Sequence, residues 1–152
     1  MYKYIVFVVV FLFIISLSVQ ERPNLPLQPK CLGCICEAIS GCNITRMCTG
    51  DICGPFSITW AYWADGNKPT IKQQHHDEPT AYANCANDPY CSAAAVQGYM
   101  DKFYQDCNGD NVVDCDDFAA IHKLGGYGCR QPLPDFYVQR YQQCKAFIGG
   151  KF

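Results

Sequence analysis

Two kinds of apolar pattern divide the chain. Ile5 to Ile15 is an unbroken apolar run, preceded by Lys3 and followed by the small residues Ser16 and Ser18. The run falls short of the ~20 apolar residues that span a bilayer. Its order of basic, apolar and small residues is that of a cleaved secretory signal, read here as residues 1–20. Beyond it, apolar positions are spaced rather than continuous. Residues 21–30 carry three prolines and predict an extended N-terminal arm. Cys31 to Ser40 lacks proline and stops at Gly41, which predicts a helix. Residues 42–58 are punctuated by Gly50 and Gly54 and alternate around Phe56-Ser57-Ile58-Thr59, predicting a small β-hairpin region. Trp60, Tyr62 and Trp63 open a short helix ending near Gly66, and the polar stretch 67–79 reads as an exposed loop.

The second half is helical in pattern. Asp88-Pro89 supplies an N-cap and a first-turn proline, and Val96, Tyr99, Met100 and Phe103 then recur at three-to-four-residue spacing, a buried stripe. A further helix runs from about Cys115 to Leu124 and stops at Gly125-Gly126. The last runs from about Pro134 to Phe147, with Phe136, Tyr137, Tyr141 and Cys144 on one side. Several short helices with one small antiparallel sheet make an α+β domain over residues 31–148.

Cysteine usage decides what kind of domain this is. All twelve cysteines follow residue 20. An even count in an exported chain predicts six disulfides formed in an oxidising, extracellular compartment. The same setting disfavours zinc at Cys31-x-x-Cys34-x-Cys36. Charge narrows the partners: without the first twenty residues, 11 basic side chains face 14 acidic ones. No basic stripe is available for nucleic acid, and nothing in the balance draws the chain to an anionic membrane.

Certain motifs carry a resemblance. Cys31-Leu-Gly-Cys-Ile-Cys36 with Ser40-Gly-Cys42, then Cys53-Gly-Pro-Phe-Ser-Ile58 and Tyr62-Trp-Ala-Asp-Gly66, resemble the opening of an invertebrate-type lysozyme, the family that includes the destabilases. Asn84-Cys-Ala-Asn-Asp-Pro-Tyr-Cys91, Val96-Gln-Gly-Tyr-Met100 and Phe118-Ala-Ala-Ile-His122 with Gly126-Tyr-Gly-Cys129 resemble its later half. The resemblance implies a disulfide-rich lysozyme-superfamily fold and hydrolysis of the β-1,4 bond between N-acetylmuramic acid and N-acetylglucosamine in peptidoglycan. For some members it also implies isopeptide cleavage. It implies no required cofactor.

That reaction needs one carboxyl group to protonate the leaving oxygen and a second to attack or stabilise the sugar carbon. Mapped through the resemblance, the acid belongs three residues after Cys36, where this chain has Ile39. Glu37 is about 200° away around a helix and faces the other side. The second carboxylate maps to Asp51, on a link to Cys53 shorter than is usual in the family. The histidine of the isopeptidase proposal maps to His122, but its serine falls in the missing part of that link. The usual half-cystines are also absent at Gly66 and Ala95, two losses that keep the count even. Cys36–Cys42, Cys48–Cys53 and Cys85–Cys91 are the expected local pairs; the sequence leaves the others open.

Three further features stand beside the resemblance. Asp106, Asn108, Asp110, Asp114 and Asp117 fall at positions 1, 3, 5, 9 and 12 of a twelve-residue loop, with the Val112 carbonyl at 7. This is the oxygen spacing of a calcium loop, with Asn111 where glycine is usual; the alternative is a polar turn that caps the next helix. Asn43-Ile-Thr45 is a glycosylation sequon. Trp60, Tyr62 and Trp63 are candidate stacking surfaces for sugar, or core residues.

Three functional readings stay open: a muramidase using another acid, a non-catalytic binder of peptidoglycan or chitin oligosaccharide, and an isopeptidase-like protein. The absence of an acid at position 39 makes weak or lost muramidase activity the expectation.

Overall fold

A computed structural model describes residues 27–150. The secretory signal read over residues 1–20 and most of the arm read over 21–30 lie outside these residues. Among the described residues six helices follow in order: α1 Pro29–Ser40, α2 Trp60–Asp65, α3 Ala81–Asn87, α4 Pro89–Lys102, α5 Cys115–Leu124 and α6 Asp135–Phe147. None of them is long and apolar enough to cross a membrane.

Each helix begins where local chemistry allows. Pro29 occupies the first turn of α1, where its missing N–H costs nothing. The last two residues of the expected arm are therefore helical. Cys31, Cys34, Ile35 and Ala38 form a buried stripe on α1, and the helix ends at Gly41, in the left-handed conformation at φ +71°. Asp88 accepts the Tyr90 and Cys91 N–H groups at 3.0 and 2.7 Å, fixing the break between α3 and α4. Asp114 caps α5, and Asp117 answers with a reciprocal bond to the Asp114 N–H.

The core lies between these helices. α1 packs along α6 and against α5, while α2 and α3 pack on α4. Ile35, Val96, Met100, Phe118 and Ile121 are fully enclosed, each contributing roughly 1.5–3 kcal/mol relative to exposure. Six disulfides staple the body. Cys31–Cys115 and Cys34–Cys144 tie α1 to α5 and α6, while Cys107–Cys129 closes the loop before α5 onto the segment after it. Cys36–Cys42, Cys48–Cys53 and Cys85–Cys91 close short loops.

The expected sheet is reduced to two isolated antiparallel bridges, Thr49 with Ile52 and Cys53 with Ile58. Residues 42–58 turn too often to build a ladder: Cys42, Gly50, Gly54 and Ser57 all have positive φ, and Cys48–Cys53 spans only five residues. Gly54 is needed there, since a side chain would strike the Ala86 carbonyl of α3. The fold is a helical, disulfide-rich version of the expected class. The two absent half-cystines have a structural counterpart. Gly66 lies against Ala95, so closely that a Cβ on Gly66 would come within 2.2 Å of the Ala95 oxygen.

Candidate functional site

The last turn of α1 decides the chemistry available. Ile39 is half-buried and packs against the core. Glu37, two residues earlier, points toward α6, where its carboxylate meets the Arg140 guanidinium at 3.4 Å. Both line a groove of about 490 Å³ between α1 and α6, with Gln143 and Phe147. Glu37 thus belongs to a different surface from Ile39, as their rotation around the helix requires. Ser40 donates from its hydroxyl to the Pro55 carbonyl, holding the end of α1 to the turn enclosed by the Cys53–Ile58 bridge.

Asp51 lies exposed at a tight turn. Thr49 and Ile52 exchange backbone hydrogen bonds of 2.8 and 3.4 Å around it, and Cys48–Cys53 closes the turn from outside. The Tyr82 hydroxyl reaches from α3 to the carbonyls of Asp51 and Ile58, at 2.9 and 2.8 Å. Burial, and secondarily the Asp51 charge, push the Tyr82 phenol above its ordinary pKa, so it stays a donor. Nothing in the sequence pointed to Tyr82 or to Arg140, because their partners are 31 and 103 residues away.

His122 is buried on α5. Its Nε2 lies 3.0 Å from the Phe56 carbonyl and its Nδ1 lies 2.9 Å from the Tyr62 hydroxyl. A carbonyl only accepts, so the proton is on Nε2 and Nδ1 accepts from Tyr62. Burial lowers the His122 pKa to about 4, although the Phe56 carbonyl opposes the shift. A neutral imidazole with both nitrogens engaged is a packing group. It has no free nitrogen to activate a serine.

The three candidate aromatics divide. Trp63 is buried and donates from its indole N–H to the Pro69 carbonyl at 2.7 Å; it offers no face to a sugar. Tyr62 stacks on Tyr99 with ring centroids 3.7 Å apart, its hydroxyl held by His122. Trp60 is 56% exposed, with the Lys68 ammonium 5.7 Å from its ring centre. It alone presents a broad surface.

The loop 106–117 is closed by its own hydrogen bonds. Asp106 accepts the N–H groups of Gly109 and Asn111 at 2.7 and 2.9 Å, with the Asn111 bond foremost in holding its carboxyl below the usual range. Asn108 and Asp110 accept from Asp110 and Val112. Asn111 adopts the left-handed conformation at φ +69° that a sixth-position residue of a calcium loop needs. The fully buried Asp117 accepts three N–H groups, from Cys107, Asn108 and Asp114. Asp114 accepts the Asp116 N–H. The Asn43 side chain is exposed and accepts the Thr45 N–H and hydroxyl at 3.0 and 2.7 Å.

A helical body stapled by six disulfides, its first helix running into a short bridged segment, defines a lysozyme-like protein. The Destabilase family model matches residues 28–144. Lysozyme 1 of Crassostrea virginica is 35% identical over 119 residues, covering 76% of this chain and 59% of that protein. The Meretrix lusoria lysozyme is 32% identical over 128 residues, covering 81% of this chain and 94% of that one. A crystal structure of Meretrix lusoria lysozyme in complex with Aeromonas hydrophila PliI superposes with a TM-score of 0.64, at 28% identity over 82% of this chain and 96% of the other. The chain belongs to the Destabilase family, that of the invertebrate-type lysozymes.

Proposed function

We propose that this is a secreted, peptidoglycan-directed member of the family whose muramidase activity is weak or lost, and which acts by binding cell-wall glycan. One observation carries the reading: the helix position that corresponds to the acid bears the half-buried hydrocarbon Ile39, while Glu37, the carboxylate two residues earlier on the same helix, is turned away and paired with Arg140. Asp51 remains as a lone carboxylate. Without a proton donor to the leaving oxygen, glycoside hydrolysis forfeits about 10²–10⁴-fold in rate. Trp60 is the surface on which a sugar ring would stack. Six disulfides support an extracellular setting. The engaged nitrogens of His122 count against the isopeptidase alternative.

Two assays on one preparation test this: clearing of a bacterial cell-wall suspension, and retention on insoluble peptidoglycan. Retention without clearing is expected, with Ile39→Glu raising clearing by about 10²-fold or more. Clearing by the natural sequence at the rate of the Meretrix lusoria lysozyme would overturn the proposal.

No cofactor enters this scheme. Calcium at Asp106, Asn108, Asp110, Val112, Asp114 and Asp117 is supported by the oxygen spacing and by the conformation of Asn111. The internal N–H bonds support a helix-capping turn equally. A rise in melting temperature with calcium, lost in Asp110→Ala, would decide for the ion.

A further inference from the structure

The loop between α2 and α3 brings together side chains of a different chemistry from the rest of the surface. His75 Nδ1 lies 3.5 Å from Asp77 Oδ2, and His76 Nε2 lies 3.4 Å from Asp77 Oδ1. The two imidazoles stack with centroids 4.4 Å apart and planes inclined by 28°. Neighbouring residues usually diverge, but Gln73 takes the left-handed conformation at φ +63° and turns the chain just before them. All three ligand atoms fall within 4.8 Å of one another, and no other group of three His, Cys, Asp or Glu side chains among the described residues does so.

We propose that His75, His76 and Asp77 form a surface site for a divalent transition ion of the zinc or copper(II) class. The spacing is the first argument. A tetrahedral ion with ligand bonds of about 2.1 Å has edges of about 3.4 Å between ligand atoms, and each imidazole lies at about that distance from one oxygen of the Asp77 carboxylate, His75 Nδ1 at 3.5 Å from Oδ2 and His76 Nε2 at 3.4 Å from Oδ1. These separations are long for charge-assisted hydrogen bonds. The donor set is the second: two imidazoles with one carboxylate suit zinc, copper(II) or nickel, whereas calcium and magnesium prefer oxygen alone. The scaffold is the third. Glu78 accepts the His75 N–H at 2.9 Å and the Gln74 amide at 3.2 Å. Gln74 is in turn bonded to Thr80 and Asn84, so the ligand-bearing turn is built onto the start of α3. The 3.3 Å bond from the Asp77 N–H to His75 Nδ1 gives way when the ion takes that nitrogen. An open fourth position remains for water.

Competing sites are few, which makes the test clean. The chain has three histidines; the third, His122, has both ring nitrogens engaged. The cysteines are all in disulfides. Zinc titrated into the oxidised protein, followed by calorimetry and by imidazole NMR signals, is expected to bind one ion per chain. The His75 and His76 signals shift together and His122 stays unmoved. His76→Ala and Asp77→Asn each weaken zinc by about tenfold or more, with an unchanged far-UV CD spectrum showing that the exposed loop tolerates them. Binding that leaves either imidazole unmoved, that is equally tight in Asp77→Asn, or that is undetectable at millimolar zinc overturns the proposal.

Discussion

Helix α1 and the segment that follows it, residues 42–58, both depend on disulfides, but in opposite ways. Two bridges of α1 reach far: Cys31–Cys115 and Cys34–Cys144 close stretches of 84 and 110 residues, with Cys31, Cys34 and Cys115 buried and Cys144 half-buried. The bridges that reach the segment, Cys36–Cys42 from the end of α1 and Cys48–Cys53 within it, close 6 and 5 residues, and most of residues 42–52 face solvent. A bridge across a long stretch removes far more freedom from the unfolded chain, so it sets the register of whole helices. A short bridge shapes only its own turn. Ile39 belongs to the first region and Asp51 to the second. Position 39 is therefore fixed by the helical frame, whereas Asp51 rides on a turn held by local bonds and by Tyr82. That is why Ile39→Glu is an informative substitution: the new side chain would start from a backbone that does not move.

The largest expected effect measures that difference directly. Removing Cys34–Cys144 with a Cys34→Ala/Cys144→Ala pair should cost about 5 kcal/mol of stability, and Cys48→Ala/Cys53→Ala about 2 kcal/mol, from loop closure alone. Denaturant midpoints of the two variants read the contrast. Equal losses would mean that the segment contributes to the frame as much as α1 does.

His122 ties α5, part of the helical frame, to the segment through the Phe56 carbonyl, and its protonation should weaken that tie. Its folded pKa of about 4 lies below the ordinary 6.5, so the unfolded chain takes up the proton first as pH falls. The stabilisation is complete above pH 6.5 and is lost as pH drops through about 4. The loss attributable to this one group is about 3 kcal/mol. Unfolding measured at pH 7 and pH 4 should show it as a slope that His122→Gln flattens. An unchanged slope in the variant would place the imidazole in contact with water, free of the Phe56 carbonyl.

What was legible in the sequence follows the same division. The frame announces itself locally. Asp88-Pro89 marks the start of α4, Asp114 and Gly125 bracket α5, and a proline-free run that stops at Gly41 marks α1. Each signal lies within or directly beside the element it defines. Helix α3 carried no such signal: Ala81, Cys85 and Ala86 are small, Asn84 and Asn87 are poor helix formers, and its helicity comes from packing on α4. The segment was legible only in part, for the complementary reason. Its alternation of apolar residues suggested a hairpin region, and its antiparallel pairing is confined to two isolated bridges among four positions with positive φ. At the site, the identity of Ile39 could be read and its surroundings could not. The Glu37–Arg140 contact joins opposite ends of the chain, and the engagement of His122 requires two partners 60 and 66 residues away.

The smallest expected effect tests how much Tyr82 adds to the ties that Cys36–Cys42 and the Ser40–Pro55 hydrogen bond already make between the segment and the frame. Tyr82→Phe removes the hydroxyl that reaches the Asp51 and Ile58 carbonyls and keeps the ring, which packs near Trp63 at a centroid distance of 6.0 Å. The Ile58 carbonyl still accepts the Cys53 N–H at 2.9 Å, and that of Asp51, at an exposed residue, is open to water. The net loss should therefore be only about 1 kcal/mol. Its location matters more than its size. Hydrogen exchange should quicken at the amides of Ile52, Cys53 and Ile58 and stay unchanged along α1, because the frame keeps its two long bridges. If those three amides exchange as before, the Cys48–Cys53 turn positions Asp51 unaided. If the amides of α1 quicken as well, the two regions open as one unit, and Asp51 is held as firmly as Ile39.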